Sequence, residues 1–559
     1  MDASGRAGRR LASGSRALTL LRGELEAMGS DLAGFFAPAD AVAAWIPDAR
    51  GTRLAALAAR ARRLSLVRVS PGPLPTPYDA PHRGFASLRV EARPGPRGPE
   101  RTARVRAAAA VLRAAGYGHH TAPDGALDAE ERFAREWLDG VAFFDAWTRR
   151  PIALAEAVAQ AAWLEARFAA NAPRTVLVGV SGWKRETLDA MLDGPDGPPL
   201  HVADAARAVA AAERVSGRVA VWATRMPARL PALCEAAGVP MLRIEDGFLR
   251  SVGLGASFRP GASVVVDSRG IYYDPRGPSD LAHLLATSAF PDDLVARATR
   301  LRETIVARRL SKYNVGVASD LDAVFGDVAP GRRVVLVPGQ VEDDASVQHG
   351  SPTVRTNRAL LEAARARNPD AFLLYKPHPD VEAGYRPGRI AEEEALTVAD
   401  RLVGGLSIVE LLDRTHHVET MTSLTGFEAL LRGRSVAVHG RPFYAGWGLT
   451  EDLNPDANRG RRLALDELVA GALLLYPLYV DPVTLKPCPP ELLLDRLTEA
   501  RAAAPRNALA LSGLGWLTVR ARYALLNPIV RWLRDRRGVP RPDGPAPGSA
   551  PPSTPRKSR

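Results

Sequence analysis

From Arg174 onward, short apolar runs alternate with helical patterns, and this alternation restricts the chain to largely parallel sheets with helices packed on them. Thr175–Val180 reads as a strand, Ser181-Gly182-Trp183-Lys184 as a turn, and Arg185–Leu192 as the start of a helix. Arg218–Trp222 and Met241–Ile244 read as further strands, with a helix over Pro227–Ala237 between them. Ser263–Asp267 is another strand, followed by a helix opening at Pro278-Ser279. After Leu310 the rhythm resumes with strands at Arg333–Val337, Ala371–Tyr375, His417–Met421 and Ser435–Val438. Helical patterns at Asn357–Asn368, Ser407–Leu412 and Phe427–Leu431 separate them. The expectation is an α/β chain with two Rossmann-like domains, 166–312 and 313–470, facing across a cleft.

In open α/β sheets ligands and reacting groups gather at the carboxyl ends of strands. Four strings fall at such ends. Glu245-Asp246-Gly247 closes the strand after Gly238, and its glycine permits a sharp turn. Gln340 and Asp343 follow the 333–337 strand, Lys376-Pro377-His378-Pro379 the 371–375 strand, and Thr422-Ser423 the 417–421 strand at a helix start. Hydroxyls at a helix N-terminus suit an anion, although an ordinary N-cap uses the same residues. Asp343-Asp344 has the form of a Mg²⁺-binding pair. Only five of the 74 basic residues are lysines, and three of them, Lys184, Lys312 and Lys376, lie in these or neighbouring turns. Lysine is a compact charge and arginine a planar fork, so retained lysines point to contact with a ligand or a buried carboxylate.

The longer string Glu245-Asp246-Gly247-Phe248-Leu249-Arg250-Ser251, with Gly253-Leu254-Gly255 and Gly270-Ile271-Tyr272-Tyr273-Asp274, closely resembles the capsular polysaccharide β-Kdo transferases, the KpsC family. Kdo is the acidic eight-carbon sugar 3-deoxy-manno-octulosonic acid. The resemblance extends over roughly residues 174–490 and implies the GT-B glycosyltransferase fold. It implies transfer of Kdo with retention from CMP-β-Kdo to a (lyso)phosphatidylglycerol-linked oligo-Kdo acceptor. Asp246 then becomes the nucleophile on the acceptor-side domain, with Glu245 beside it. Arg250 pairs either with the Kdo carboxylate or with Asp246. On the donor side, Gln340, Asp343, Lys376, His378, Thr422 and Ser423 are expected around the CMP. A His-Pro pair and a Ser/Thr pair hold CMP in bacterial sialyltransferases too. No metal and no cofactor beyond the donor substrate are expected. Two other readings stand beside this one: an inverting, sialyltransferase-like step with Asp246 as general base, and a non-catalytic capsule assembly or export factor.

The flanks differ from this region. Residues 1–165 are rich in Ala and Arg, with helical stretches at Leu54–Leu64 and Thr102–Ala115 and a Pro/Gly-rich span, Pro71 to Pro99, that reads as loop. His119-His120 lacks further metal ligands. Phe143–Pro151 echoes Tyr479–Pro487, and the resembling family often carries tandem modules, so this extension is either a degenerate first module or an unrelated appendage. At the other end, 471–537 reads as helices. Trp516, Val519, Tyr523, Leu526, Val530 and Leu533 form an apolar stripe flanked by arginines, which fits either an anionic inner-membrane surface or the protein itself. Trp516 to Arg559 holds ten basic and two acidic residues, +8 of the chain's +12, and 538–559 is expected to be disordered. Cys234 and Cys488 show no pairing pattern, and no signal peptide or spanning segment is apparent. A cytoplasmic protein peripheral to the inner membrane, with CMP-Kdo, a lipid-linked acceptor and other capsule proteins as partners and no nucleic acid, is therefore expected.

Overall fold

The computed structural model describes residues 41–45, 65–79, 86–90, 99–115, 133–138 except 135, 141–250, 261–312 and 321–503 except 383, 385, 457 and 458. The Leu54–Leu64 helix, His119-His120, Gly253-Leu254-Gly255, the amphipathic stretch from Trp516 and the 538–559 tail lie outside them.

Three sheets organise the described chain. The first comprises β1 (Ala41–Trp45), β2 (Ser65–Pro71), β3 (Ser87–Val90) and β4 (Val141–Phe143), in that order. The Pro71–Pro99 span is therefore not all loop: Ser87–Val90 finds partners on both sides. The expected Thr102–Ala115 helix runs from Pro99 to Ala114 and buries Val105, Ala108, Ala109 and Leu112, residues three, one and three apart on one face.

The second sheet contains β5 (Thr175–Val178), β6 (Leu200–Val202), β7 (Arg218–Trp222), β8 (Met241–Asp246), β9 (Ser263–Asp267) and β16 (Pro477–Tyr479), ordered β16-β9-β8-β7-β5-β6. Strands β6, β5, β7 and β8 are parallel, as the sequence rhythm implies. β9 returns antiparallel to β8, and β16 is antiparallel to β9. The boundary at residue 312 is thus incomplete, because 477–479 come back to finish this sheet. The helix Pro490–Ala503 follows, tied to helix Asp292–Ala307 by the bidentate pair Arg297–Glu491 (2.7 and 2.9 Å).

The third sheet, ordered β12-β11-β10-β13-β14-β15, is wholly parallel. Its strands are β10 (Val334–Pro338), β11 (Phe372–Lys376), β12 (Arg401–Leu402), β13 (His417–Thr420), β14 (Ser435–Val438) and β15 (Glu451–Asp452). All residues of β10, β11 and β13 are buried, the continuous pattern of a sheet covered on both faces.

The second and third sheets share one core, and its aromatic centre lies beside the candidate site. Phe248, two residues past β8, stacks on Phe443 at 4.4 Å between ring centroids and meets Tyr272 edge-on at 4.8 Å. Phe427 of helix Leu424–Leu431 packs on Phe443 at 5.3 Å. These rings fix the loop after β8 against the helix after β13. Cys234 and Cys488 are both unpaired and buried.

The two echoing segments adopt one conformation. Phe144 bridges Pro151 as Val480 bridges Pro487. Asp145 and Asp481 each accept from the N–H and hydroxyl of a threonine three residues on, Thr148 and Thr484. Arg149 and Leu485 take matching left-handed φ angles of 59° and 54°.

Candidate active site

The end of β8 carries a paired carboxylate with an asymmetric setting. Gly247 leaves the strand where an added Cβ would lie 2.3 Å from Ser263 Oγ, so only glycine allows the loop to approach β9 there. That turn places Arg250 under Asp246. Arg250 is fully buried, and its Nε stands 3.0 Å from Asp246 Oδ2, while the carboxylate keeps about a fifth of its surface (21%) open. Of the two roles the sequence left open for Arg250, the structure shows the pairing with Asp246.

Lys184 arrives from the turn after β5, with Nζ 3.4 Å from Asp246 Oδ1. Its ammonium also sits 3.0 Å from the centre of the buried Trp222 ring and 4.9 Å from that of Trp183. Burial lowers the Lys184 pKa to about 8 against the opposing pull of Asp246 and Glu245.

The two carboxyls respond oppositely to these surroundings. Burial would raise Asp246, yet Arg250, Lys184 and Lys312 outweigh it and hold the carboxyl below its ordinary range. Glu245 is pushed up to about 7 by burial and by the neighbouring Asp246 charge, with Lys184 and Lys312 opposing. Glu245 Oε1 accepts from the Asp246 N–H at 3.1 Å, and Thr224 Oγ1 donates to Oε2 at 3.4 Å. Near neutrality the pair therefore holds one ionised group and one that titrates. Environments that drive two carboxyls apart in this way are how proteins separate nucleophile from acid and base.

Lys312 joins this end to the third sheet. Its carbonyl accepts from Arg250 N–H at 3.3 Å, and its own N–H donates to Glu428 Oε1 at 2.9 Å, on the helix after β13. Its charge is felt by Asp246, Glu245 and His378.

On the third sheet Gln340, expected around the CMP, turns inward. It is buried, and its Oε1 accepts from Thr422 N–H (3.0 Å), Ser423 N–H (3.2 Å) and the Thr420 hydroxyl (3.1 Å). Its Nε2 donates to Thr422 Oγ1 at 3.0 Å. Gln340 thus shapes the loop that carries Thr422 and Ser423. Asp343 is more than half exposed (56%) and pairs with Arg386 at 2.7 Å. Asp344 caps the helix Ala345–Gly350 through Ser346 N–H at 2.9 Å.

Ser423 is the N-cap of helix Leu424–Leu431, accepting from Thr425 N–H at 3.2 Å. Gly426 lets Tyr444 reach in, since its Cβ would lie 2.3 Å from the Tyr444 hydroxyl; that hydroxyl donates to Ser423 O at 2.5 Å. His378 Nδ1 accepts from Asp380 N–H at 3.1 Å, which leaves Nε2 as the ring's donor position. Burial lowers His378, opposed by Asp380 and Asp344, so the ring is neutral near pH 7. Lys376 is buried, its pKa lowered by burial against the charge of Glu382. Among the described residues no cluster of three His, Cys, Asp or Glu could hold a metal ion.

Residues 218–484, which contain every one of these groups except Trp183 and Lys184, match the family model described as Capsule polysaccharide biosynthesis protein. The chain is 42% identical over 307 residues to the capsule polysaccharide modification protein LipA of Neisseria meningitidis serogroup A, covering 55% of this chain and 43% of LipA. It is 45% identical over 244 residues to the lipopolysaccharide-processing protein LpsZ of Rhizobium meliloti, covering 43% of this chain and 54% of LpsZ. The chain thus spans about half the length of these curated relatives. Among solved structures, the KpsC β-Kdo 2,4 transferase of Thermosulfurimonas dismutans is 33% identical, with a TM-score of 0.51, over 58% of this chain and 97% of that one. The fold is of an α/β, glycosyltransferase-like class. Within that class, the chain belongs to the KpsC-like family of capsule polysaccharide proteins.

Proposed function

We propose that the chain is a retaining β-Kdo glycosyltransferase of capsule biosynthesis, using CMP-β-Kdo as donor and a lipid-linked oligo-Kdo chain as acceptor. The observation that carries this reading is the Asp246 carboxylate at the end of β8, 3.0 Å from the buried Arg250 guanidinium and 3.4 Å from Lys184 Nζ. In the first step an Asp246 oxygen attacks the anomeric carbon, and the bond to the CMP phosphate oxygen breaks, releasing CMP. In the second, the acceptor hydroxyl attacks the same carbon, the aspartyl ester bond breaks, and the hydroxyl proton passes to Glu245. Two inversions give net retention.

Ester formation removes the Asp246 charge, one of the two causes that raise Glu245. Glu245 therefore becomes a carboxylate more readily at the stage where a base is required. Departing CMP is to be received by His378 Nε2 and the hydroxyls of Thr422 and Ser423, with Gln340 as their positioning residue. Lys376 adds positive charge beside that loop.

Two sheets ending at these groups constitute the GT-B arrangement in this reading. Among the described residues no helix is long and apolar enough to cross a membrane, and inner-membrane association belongs to the proposal alone. Purified protein given CMP-Kdo generated in situ and a synthetic Kdo-terminated acceptor should yield an acceptor lengthened by β-Kdo. Release of CMP without lengthening, or an α-linked product, would refute the reading.

A further inference from the structure

The small N-terminal sheet reproduces part of the second sheet residue for residue. β1 runs parallel to β2, β3 antiparallel to β2, and β4 antiparallel to β3. β7, β8, β9 and β16 repeat those directions in the same spatial order. The registers coincide as well. Ser70 faces Arg89 and Pro71 faces Leu88, where Glu245 faces Val265 and Asp246 faces Val264. Phe143 pairs with Ser87 as Tyr479 pairs with Ser263.

The turns agree in detail. Gly72 N–H donates to Ser87 O at 2.8 Å, and Gly247 N–H to Ser263 O at 3.1 Å. A Cβ on Gly72 would lie 2.4 Å from Ser87 Oγ, against 2.3 Å for Gly247 and Ser263. Ser87 Oγ donates to Leu74 O, and Ser263 Oγ to Leu249 O. Phe144 N–H donates to Ala86 O and Val480 N–H to Ala262 O, each at 2.9 Å. Even the helix that follows conforms: Asp145 accepts from Gln160 at 2.7 Å, and Asp481 from Arg496 at 2.9 Å.

The structure therefore aligns Val67-Arg68-Val69-Ser70-Pro71-Gly72-Pro73-Leu74-Pro75 with Leu242-Arg243-Ile244-Glu245-Asp246-Gly247-Phe248-Leu249-Arg250. The turn glycine and the packing leucine are kept. The three groups that define the chemistry are replaced: Glu245 by Ser70, Asp246 by Pro71 and Arg250 by Pro75. Proline at the nucleophile position offers no oxygen with which to form an ester. Trp147 Nε1 donates to Pro487 O at 2.9 Å, and Arg496 Nη2 to Trp147 O at 3.3 Å, so the two copies are packed turn against turn.

We infer that the 41–169 unit is a second copy of the nucleophile-bearing sheet whose chemistry has been dismantled, and that the chain forms one kind of linkage only. This rests on the transferase reading above. A single fixed carboxylate demands one in-line placement of the attacking hydroxyl, about 3–3.5 Å from the reacting carbon. An oligosaccharide with two alternating linkages then requires a separate Kdo transfer of the other linkage, acting before or after this one.

The test supplies the full chain with donor and two acceptors that differ in the linkage of their terminal Kdo, and determines product linkages by NMR. The inference predicts one new linkage type in all products, and none from Asp246→Asn. Ser70→Ala should transfer at the wild-type rate. Products of two linkage types, or a Ser70→Ala loss beyond about tenfold with an unchanged melting temperature, would overturn the dismantled-copy inference alone. No product from either acceptor would overturn the transferase reading and this inference with it.

Discussion

Arg250 and Asp246 form an ion pair at 3.0 Å in which the guanidinium is fully buried and the carboxylate keeps about a fifth of its surface open. The burial is one-sided, so the pair presents a negative charge outward on a fixed cationic base. Removing one partner of a buried pair strands the other, typically at about 3–5 kcal/mol. Asp246→Asn removes the charge opposite the fully buried guanidinium and should therefore lower stability by that order, while Arg250→Met leaves the part-exposed Asp246 beside Lys184 and should cost less; both should abolish transfer. Urea unfolding of the two variants checks the order. Equal small losses would contradict the burial asymmetry.

Glu245 supplies a pH signature. Its folded pKa, about 7, lies above the ordinary carboxylate range, so the folded protein binds that proton more tightly than the unfolded chain. Its contribution to stability is thus favourable at low pH and is lost as pH rises through 7. Asp246 has the opposite sign: its lowered pKa stabilises above the ordinary aspartate range, and this is lost as pH falls through the folded value. Glu245→Gln should raise the melting temperature relative to wild type at about pH 8, with little effect at about pH 4. It should also remove the rising limb near neutrality from the rate profile. An unchanged profile would exclude Glu245 as the base.

Lys184 lies against Asp246 on one side and the Trp222 ring on the other. Lys184→Arg retains charge but cannot fit the same narrow gap, because the guanidinium is a planar fork. Transfer should fall about tenfold or more in that variant. Trp222→Leu should give a similar loss with the charge intact. Wild-type rates in both would remove Lys184 from the site.

Gln340 bridges the loop that carries Thr422 and Ser423. Gln340→Met keeps the volume but leaves two backbone N–H groups and two hydroxyls without this partner. Each unsatisfied buried group costs about 1–3 kcal/mol. Stability and CMP affinity should drop together. By contrast, His378→Ala and Ser423→Ala should weaken CMP binding while the fold persists, and calorimetry with CMP separates the cases.

Much of this architecture is legible locally. β7, β14 and the helix Arg185–Leu192 coincide with their apolar patterns, because runs of four and three buried residues in the strands and the buried Leu188, Met191 and Leu192 in the helix leave few alternatives. The turn after Asp246 announces itself through Gly247, although the strand runs two residues beyond its apolar pattern. Strand direction carries no such signal: nothing within Ser263–Asp267 says that it returns antiparallel, or that residues 477–479 will pair with it. β12 and β15 are two residues long and too short to show a period. A glutamine at a strand end reads alike whether it faces ligand or loop, so the inward turn of Gln340 emerges only from its four bonds. The scarcity of lysine did single out Lys184 and Lys312, yet their convergence on Asp246 depends on strands 62 residues apart in the first case.

In the proposed mechanism Asp246 becomes covalently bonded to the sugar. A slowed variant, Glu245→Gln, given CMP-Kdo without acceptor and examined by intact-protein and peptide mass spectrometry, tests it directly. The expected result is one added Kdo, located on the peptide containing Asp246 and absent from Asp246→Asn. An unmodified Asp246 peptide in a variant that still consumes donor and lengthens acceptor, or near-normal turnover by Asp246→Asn, would contradict it.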